Sequence, residues 1–251
     1  MPDLDRALAR AYAHRRTGEN DATPPAPHFT VSTPSFDAPT SSGPEVSWPE
    51  TVLALEREHS QRFERLADVL VDIRTKRKIK VLLFTSCHRA EGRTTLVLTL
   101  ARALARRPGR TLVVDADLTG PMLAGLMGLR PEAGLDDVVQ DGVALTEALV
   151  TLGDDAPNFL PLRAPVPRPR EFMADPAWSV LMARLRRDFD LILLDGSPMF
   201  TGLSAAVLHR AVDAAILVYH CGLTGERALA RAREVLNAGG IPLLGLAETF
   251  S

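Results

Sequence analysis

Short apolar segments alternate with amphipathic segments along most of the chain after residue 50. Six apolar runs have the length and composition of buried strands, and they begin at residues 80, 111, 158, 190, 214 and 241: KVLLFT, TLVVD, NFLPLR, DLILLD, AAILVYH and IPLLGLA. Between them, segments such as TTLVLTLARALARR, AWSVLMARLRRD and TGERALARAREVLNAGG have helical spacing of apolar residues. This alternation predicts an α/β fold in which helices cover both faces of a mostly parallel sheet.

The first fifty residues follow a different pattern. Leu4, Leu8 and Tyr12 would share one face of a short helix over residues 1–16. Residues 17–49 are rich in Pro, Ser and Thr and are predicted to be a disordered linker. We interpret residues 1–16 as a tail, with a tethered docking peptide as the alternative. A long helix is predicted from residue 50 to the basic run TKRKIK, and residues 50–251 are predicted to form one domain.

Composition narrows the functional classes. The chain has 251 residues, of which 46% are hydrophobic and 24% are charged, as in a soluble α/β domain. Its net charge of −2 gives no basic field that would attract nucleic acid, so no nucleic-acid partner is predicted. Two cysteines are too few for a disulfide framework, and no apolar run is long enough to span a bilayer. A cytoplasmic location is therefore expected.

The loop after the first strand has features of a phosphate-binding turn. Gly92 is followed by Arg93, Thr94 and Thr95 at the start of a helix, whose N–H groups can cradle a phosphate. Thr94 stands where a Mg²⁺-bound hydroxyl would be expected. The match with G-x-x-x-x-G-K-[ST] is partial, because Cys87 stands at the first glycine and Arg93 replaces the lysine.

Acidic residues follow two other predicted strands. Asp115 and Asp117 come at the end of LVVD and just after it, and Asp195 ends LILLD. Carboxylates at such positions can hold Mg²⁺ or orient an attacking group. The structural alternatives are that Asp117 and Asp195 cap the turns that follow them. Three such loops at the carboxyl ends of parallel strands predict one shared site.

Four stretches of the sequence resemble the bacterial tyrosine kinases, within the MinD/ParA-like deviant P-loop ATPases. TSCHRAEGRTTLVLTLA, DADLTGPMLAGLMGLRPEAGLDDVV, PRPREFM and DGSP follow the order and spacing of that family's TSSxPGEGKSTxxxNLA, DADLRRPxxxxxFGLxxxxGLSDVL, PxNPxELL and DTPP. The resemblance covers roughly residues 60–247. It implies a three-layer P-loop NTPase fold and a role in exopolysaccharide or capsule synthesis and export.

The resemblance also implies cofactors, a partner and residue roles. ATP and Mg²⁺ would be the cofactors, and a membrane-embedded polysaccharide co-polymerase would hold the chain at the inner membrane. Asp115 and Asp117 would be the catalytic carboxylates, and Thr94, Asp115 and Asp195 the Mg²⁺ ligands. The residues that would bind the nucleotide are Ala90, Glu91, Gly92, Arg93, Thr94 and Thr95.

Several departures from the family pattern concern catalysis. Arg93 replaces the phosphate-binding lysine, and arginine is a longer, planar group that would meet phosphate in a different geometry. Ala90 replaces a loop glycine, and Gly196 replaces the threonine of DTPP. The chain has only two tyrosines, Tyr12 and Tyr219, and lacks the C-terminal tyrosine cluster that the family phosphorylates.

Two other features leave alternatives open. The family's E-x-x-R-x-x-R oligomerisation motif would fall at Gln61, Glu64 and Ala67, where it is absent, so a homo-oligomer would need other contacts. Cys87 is either a reactive thiol, because a helix N-terminus lowers the pKa of a thiol, or a small residue in place of serine.

Three functional hypotheses follow from these residues. The first is an ATP-binding relative of the bacterial tyrosine kinases with weak or no autokinase activity. The second is a scaffold that binds no nucleotide, because the lysine and a loop glycine are missing. The third is a positioning ATPase of the MinD/ParA type, although neither Cys87 nor His88 supplies the extra lysine of that class.

Overall fold

Seven strands form one sheet in the computed structural model, which describes residues 47–153, 156–201 and 211–249. The strands are β1 (Val81–Ser86), β2 (Thr111–Ala116), β3 (Val150–Thr151), β4 (Asn158–Leu160), β5 (Leu191–Gly196), β6 (Ala214–His220) and β7 (Leu243–Thr249). They lie in the order β3-β4-β2-β5-β1-β6-β7. Only the pair β3–β4 is antiparallel, so the predicted mostly parallel sheet is confirmed.

Helices pack on both faces of this sheet. Those described are α1 (Glu50–Arg77), α2 (Arg93–Ala105), α3 (Leu123–Leu126), α4 (Leu135–Gln140), α5 (Leu145–Ala148), α6 (Pro169–Ala174), α7 (Pro176–Asp188) and α8 (Glu226–Ala238). Helix α1 extends to Arg77, into the basic run at which we predicted its end. Basic residues interact favourably with the carboxyl end of a helix, and Lys78 then ends α1 with a left-handed conformation.

The alternation of side chains along each strand creates two apolar cores. Leu82 and Phe84 of β1 face the layer formed by α1 and α2. Val81 and Leu83 face the opposite layer, where α6, α7 and α8 pack. Every residue of β1 is therefore buried, which explains the uninterrupted apolar run in the sequence.

Strand boundaries differ from the predicted ones where proline interrupts the ladder. The predicted strand NFLPLR pairs only over Asn158–Leu160 and ends before Pro161, which has no N–H to donate. The last strand begins after Pro242 and continues to Thr249. The antiparallel strand β3 was not predicted.

The predicted division into a short helix, a linker and one domain stays a prediction. The predicted helix over residues 1–16 and the linker up to residue 46 lie outside the described residues. Helix α1 begins at Glu50, the residue where we predicted the domain to begin, and residues 42–251 form one compact unit. In the part of the chain that the structure describes, no helix is both long and apolar enough to cross a membrane.

The order of the strands brings the three predicted loops together. Strand β5 lies between β1 and β2, so that Asp195 is in register with Phe84 on one side and with Asp115 on the other. All three strands are parallel, and their carboxyl ends meet at one edge of the sheet. The loops after β1, β2 and β5 therefore form a single site at that edge.

Candidate nucleotide site

The loop between β1 and α2 turns sharply into the helix. Ala90 and Gly92 both have positive φ angles, of 60° and 74°. A Cβ atom at Gly92 would lie 3.2 Å from Cγ2 of Thr249, so a side chain would be both strained and crowded there. Because Gly92 precedes the first helical residue, the N–H groups of Arg93, Thr94 and Thr95 have no acceptor within α2. They form the part of the loop that suits a phosphate.

Replacing Ala90 by glycine is expected to stabilise the protein by roughly 0.5–1 kcal/mol. The left-handed conformation costs an L-residue about 1–2 kcal/mol, which exceeds the entropy that glycine loses on folding. Urea unfolding would measure the change. Lys78→Gly is the matched control, since Lys78 has the same φ outside the site, and a loss of stability in both variants would contradict the explanation.

Glu91 fixes the loop from within. Its buried carboxylate accepts a hydrogen bond of 2.7 Å from the N–H of His88 and another from the hydroxyl of Thr224. Its carbonyl oxygen accepts one of 2.9 Å from the hydroxyl of Thr249. The predicted role of Glu91 in nucleotide binding therefore rests on its backbone N–H, because its side chain is committed to the loop.

Arg93 turns its guanidinium into the protein. Nε donates to Oδ1 of Asp195 at 2.7 Å, Nη1 to Oγ of Ser86 at 2.9 Å, and Nη2 to Oδ2 of Asp117 at 3.0 Å. Burial opposes the charged form of Arg93, but the charges and hydrogen bonds of Asp195 and Asp117 outweigh it and raise the pKa above its ordinary value. The residue in the place of the lysine is thus held by two carboxylates.

Asp117 is the most connected side chain of the site. Besides Arg93, it accepts hydrogen bonds from Arg89 at 3.2 Å, from Thr119 at 3.1 Å and from Ser197 at 2.8 Å. It is 2% exposed, and each of its two oxygens has two donors. Its carboxylate therefore ties together the loops after β1, β2 and β5.

Asp195 and Thr94 form a direct pair. The hydroxyl of Thr94 donates to Oδ2 of Asp195 at 2.6 Å, while Oδ1 accepts the bond from Arg93. Complete burial raises the pKa of Asp195, although Arg93 and the Thr94 hydrogen bond act against this rise. Both oxygens of Asp195 thus have partners within the protein.

Asp115 holds the loop that follows β2. Its carboxylate accepts backbone N–H groups from Asp117 at 3.2 Å, Met122 at 3.1 Å and Leu123 at 3.0 Å. Burial, followed by repulsion from Asp195, raises its pKa to about 7. The geometry gives Asp115 a positioning role, and its predicted roles as catalytic residue and Mg²⁺ ligand remain predictions.

The free energy of unfolding is expected to be lower at pH 8 than at pH 5. The pKa of Asp115 is raised in the folded state, so the folded protein binds a proton more tightly than the unfolded chain does. The stabilisation that comes from this tighter proton binding is fully present below about pH 4 and is lost as the pH rises through about 7. Asp195 acts in the same direction. Urea unfolding from pH 5 to 8 tests this, and a constant or rising stability would contradict it.

The loop fits a phosphate, but the acidic side chains do not fit Mg²⁺ while Arg93 lies between them. A phosphate at the start of α2 would meet free N–H groups and the positive end of the helix dipole. All carboxylate oxygens of Asp115, Asp117 and Asp195, however, already accept hydrogen bonds. Among the described residues, no three His, Cys, Asp or Glu side chains are grouped so that they could hold a metal ion. The predicted Mg²⁺ roles of Thr94, Asp115 and Asp195 remain predictions.

Cys87 lies buried behind the loop. Burial, followed by the charge of Glu91, raises the pKa of its thiol to about 11. This favours the interpretation of Cys87 as a small residue in place of serine over that of a reactive thiol.

Cys221 should react with Ellman's reagent well before Cys87 in the native protein. Cys221 is exposed, whereas Cys87 is buried and its thiolate is disfavoured. One equivalent of thiol should therefore react rapidly, and the second should react only when the protein unfolds. Cys221→Ser is the control, and it should abolish the rapid reaction. Rapid modification of Cys87 would show that the loop opens.

Sequence reasoning missed several polar residues that hold the site together. Ser86 and Ser197 bond to Arg93 and Asp117, Arg89 and Thr119 bond to Asp117 and to each other, and Thr224 closes the loop through Glu91. Ser86 and Ser197 could have been found, because they stand at the carboxyl ends of β1 and β5. Nothing in the sequence indicates the long-range contact of Thr224.

Comparisons with known proteins agree with this architecture. Over 170 residues the chain is 27% identical to the tyrosine-protein kinase CpsD of Streptococcus pneumoniae, covering 67% of this chain and 75% of that protein. The kinase domain of the Escherichia coli tyrosine kinase ETK superposes with a TM-score of 0.72 at 22% identity, covering 79% of each chain. A cobyrinic acid a,c-diamide synthase from Mycobacterium smegmatis, with bound ATP analogue and magnesium, superposes with a TM-score of 0.57 at 22% identity over 69% of this chain and 73% of the synthase. No protein-family model matches the chain.

The similarity to bacterial tyrosine kinases that the motifs indicated is confirmed by these relatives. The predicted α/β fold of the P-loop kinases and ATPases is confirmed as well. The synthase shows that this fold can hold an ATP analogue with magnesium. Which residues of the present chain would meet a nucleotide remains a prediction.

Proposed function

We propose that this relative of the bacterial tyrosine kinases binds ATP and has weak or no tyrosine autokinase activity. It would assist or regulate the synthesis and export of an exopolysaccharide or capsule. The observation that carries the proposal is the combination of an intact phosphate cradle at Gly92 with an Arg93 side chain held by Asp117 and Asp195. The first feature supports binding, and the second argues against efficient transfer.

The position of Arg93 explains why transfer would be weak. Phosphoryl transfer is catalysed mainly by positioning and by charges directed at the transferred group. A guanidinium committed to two carboxylates cannot follow the phosphoryl group as a flexible lysine can. Asp117, predicted to be catalytic, is itself saturated with donors. The sequence contains only two tyrosines, Tyr12 and Tyr219, that could accept the phosphoryl group.

A membrane-embedded polysaccharide co-polymerase is the proposed partner, and the proposed location is the cytoplasmic side of the inner membrane. The motifs shared with the family support this assignment. ATP would act as a switch by favouring the conformation of the loops after β1, β2 and β5 that the partner recognises, because a ligand stabilises the state that it binds better. The partner would then respond to the bound nucleotide without turnover.

Thermal unfolding with and without ATP tests the binding step. ATP at millimolar concentration should raise the melting temperature of the wild-type chain, because ligand binding stabilises the folded state. Gly92→Ala should abolish the shift, since its Cβ would crowd Thr249 beside the cradle. Gly142→Ala is the matched control: Gly142 has a similar φ of 69° but no neighbour within 4 Å, so this variant should keep the shift.

Mass spectrometry of phosphotyrosine after incubation with ATP tests the catalytic part of the proposal. Little or no phosphate is expected on Tyr12 and Tyr219, even where ATP binding is clear. Rapid stoichiometric phosphorylation would contradict weak catalysis. If ATP raised the melting temperatures of Gly92→Ala and Gly142→Ala equally, the proposed location of the nucleotide site would be contradicted.

A nucleotide-free scaffold is the second candidate, because all three acidic residues already have partners within the protein. It predicts no ATP-induced shift in the wild-type chain. The same thermal experiment therefore separates the two candidates.

A further inference from the structure

We infer that the guanidinium of Arg93 takes the place of the divalent cation, so that the site binds its nucleoside triphosphate without Mg²⁺. This inference rests on the proposed function, since it concerns how the same site would bind ATP. Its starting point is charge. Asp115, Asp117 and Asp195 are buried together, and Arg93 bridges two of them with bonds of 3.0 and 2.7 Å. A cation already lies at the place that the acidic cluster provides for one.

Every carboxylate oxygen of the three acidic residues already accepts at least one hydrogen bond, so a metal ion would share each of them with a donor. The two oxygens of Asp195 accept from Arg93 and Thr94, and those of Asp115 accept backbone N–H groups. Both oxygens of Asp117 have side-chain donors. The hydroxyl of Thr94 keeps a free lone pair, but a divalent ion beside it would lie next to the Arg93 guanidinium and be repelled by it.

Arg93 still has donors for a phosphate. A guanidinium carries five N–H groups, and the structure uses one on Nε, one on Nη1 and one on Nη2. The second N–H group of each terminal nitrogen has no partner among the described residues. Arg93 is also the first residue of α2, so its side chain begins where the helix N–H groups form the phosphate cradle. Two of its N–H groups thus remain while it neutralises the acids, and in this proposal they bind a phosphate oxygen.

Lysine at this position would not perform both tasks. Its ammonium is a compact point charge with three N–H groups, whereas the planar fork of arginine reaches Ser86, Asp117 and Asp195 together. With Arg93→Lys, at least one carboxylate oxygen would lose its hydrogen bond from residue 93 and become more accessible to a metal ion. The arginine therefore determines whether the site needs a divalent cation.

Calorimetric titration of ATP into the full chain, with MgCl₂ or with EDTA, tests the inference. The dissociation constants of the wild-type protein in the two buffers should agree within about threefold. For Arg93→Lys, ATP should bind at least about tenfold more tightly with MgCl₂ than with EDTA, a difference of about 1.4 kcal/mol. Arg231→Lys, at an exposed arginine paired with Glu234, is the control and should behave as wild type.

The outcomes separate this inference from the proposed function. ATP binding by the wild-type protein only in the presence of MgCl₂ would overturn the inference and leave the proposed function standing. No binding in either buffer would overturn both. The wild-type comparison needs no variant, so the test stays decisive even if Arg93→Lys does not fold.

Discussion

Replacing Arg93 by alanine is expected to lower the free energy of unfolding by about 3–5 kcal/mol, the usual effect of removing one partner of a buried ion pair. The variant leaves Asp195 without its cation and Asp117 with Arg89 as its remaining ion-pair partner, in surroundings where the two acids are 1% and 2% exposed. For a domain of this size, the loss should lower the melting temperature by roughly 10 °C. Urea unfolding at pH 8 measures the effect directly.

The pH dependence of this loss identifies its cause. Carboxylates without a cation take up protons more readily, so the difference between wild type and Arg93→Ala should be smaller at pH 5 than at pH 8. Arg168→Ala removes an arginine from an exposed pair with Glu171 and should change stability by less than about 1 kcal/mol. A loss at Arg93 no larger than that at Arg168, or one independent of pH, would show that the buried pairs matter little.

The fold could be predicted from the sequence because its strands are buried on both faces. Such strands are continuous apolar runs, as VLLFTS and LILLDG show, and these runs are easy to recognise. The ends of strands were less predictable. Pro161 stops a ladder inside an apolar run, while β3 is too short, at two residues, to produce a pattern. The short length of β3 and the position of Pro161, rather than hydrophobicity, set the limits of these two strands.

The location of the site was predictable, but its internal pairing was not. Parallel strands place the loops after Ser86, Ala116 and Gly196 at one edge in any doubly covered sheet, so Gly92, Asp115 and Asp195 had to approach one another. The direction of the Arg93 side chain depends on which acceptors lie within hydrogen-bonding distance of its guanidinium, and the sequence does not give those distances. Sequence reasoning identified the substitution of lysine by arginine and left its geometry open.

Replacing Asp117 by alanine is expected to lower the free energy of unfolding by about 3 kcal/mol or more. The variant removes the acceptor of Ser197 and one acceptor of Arg93, and it leaves both donors buried. A surface acid such as Asp72, in an exposed pair with Lys76, provides the control, and Asp72→Ala should change stability by less than about 1 kcal/mol. Chemical unfolding of both variants gives the comparison.

The double variant of Arg93 and Asp117 distinguishes a structural link from two independent roles. Both single variants break the same ion pair, so their losses should not add, and the double variant should be more stable than the sum predicts by about 1–3 kcal/mol. If Asp117 acted mainly as a catalytic base, its replacement would abolish turnover with little loss of stability, and the losses would be additive. Non-additivity would instead show that Arg93 and Asp117 act as one unit, in which a built-in cation and its carboxylate connect the loops after β1 and β2.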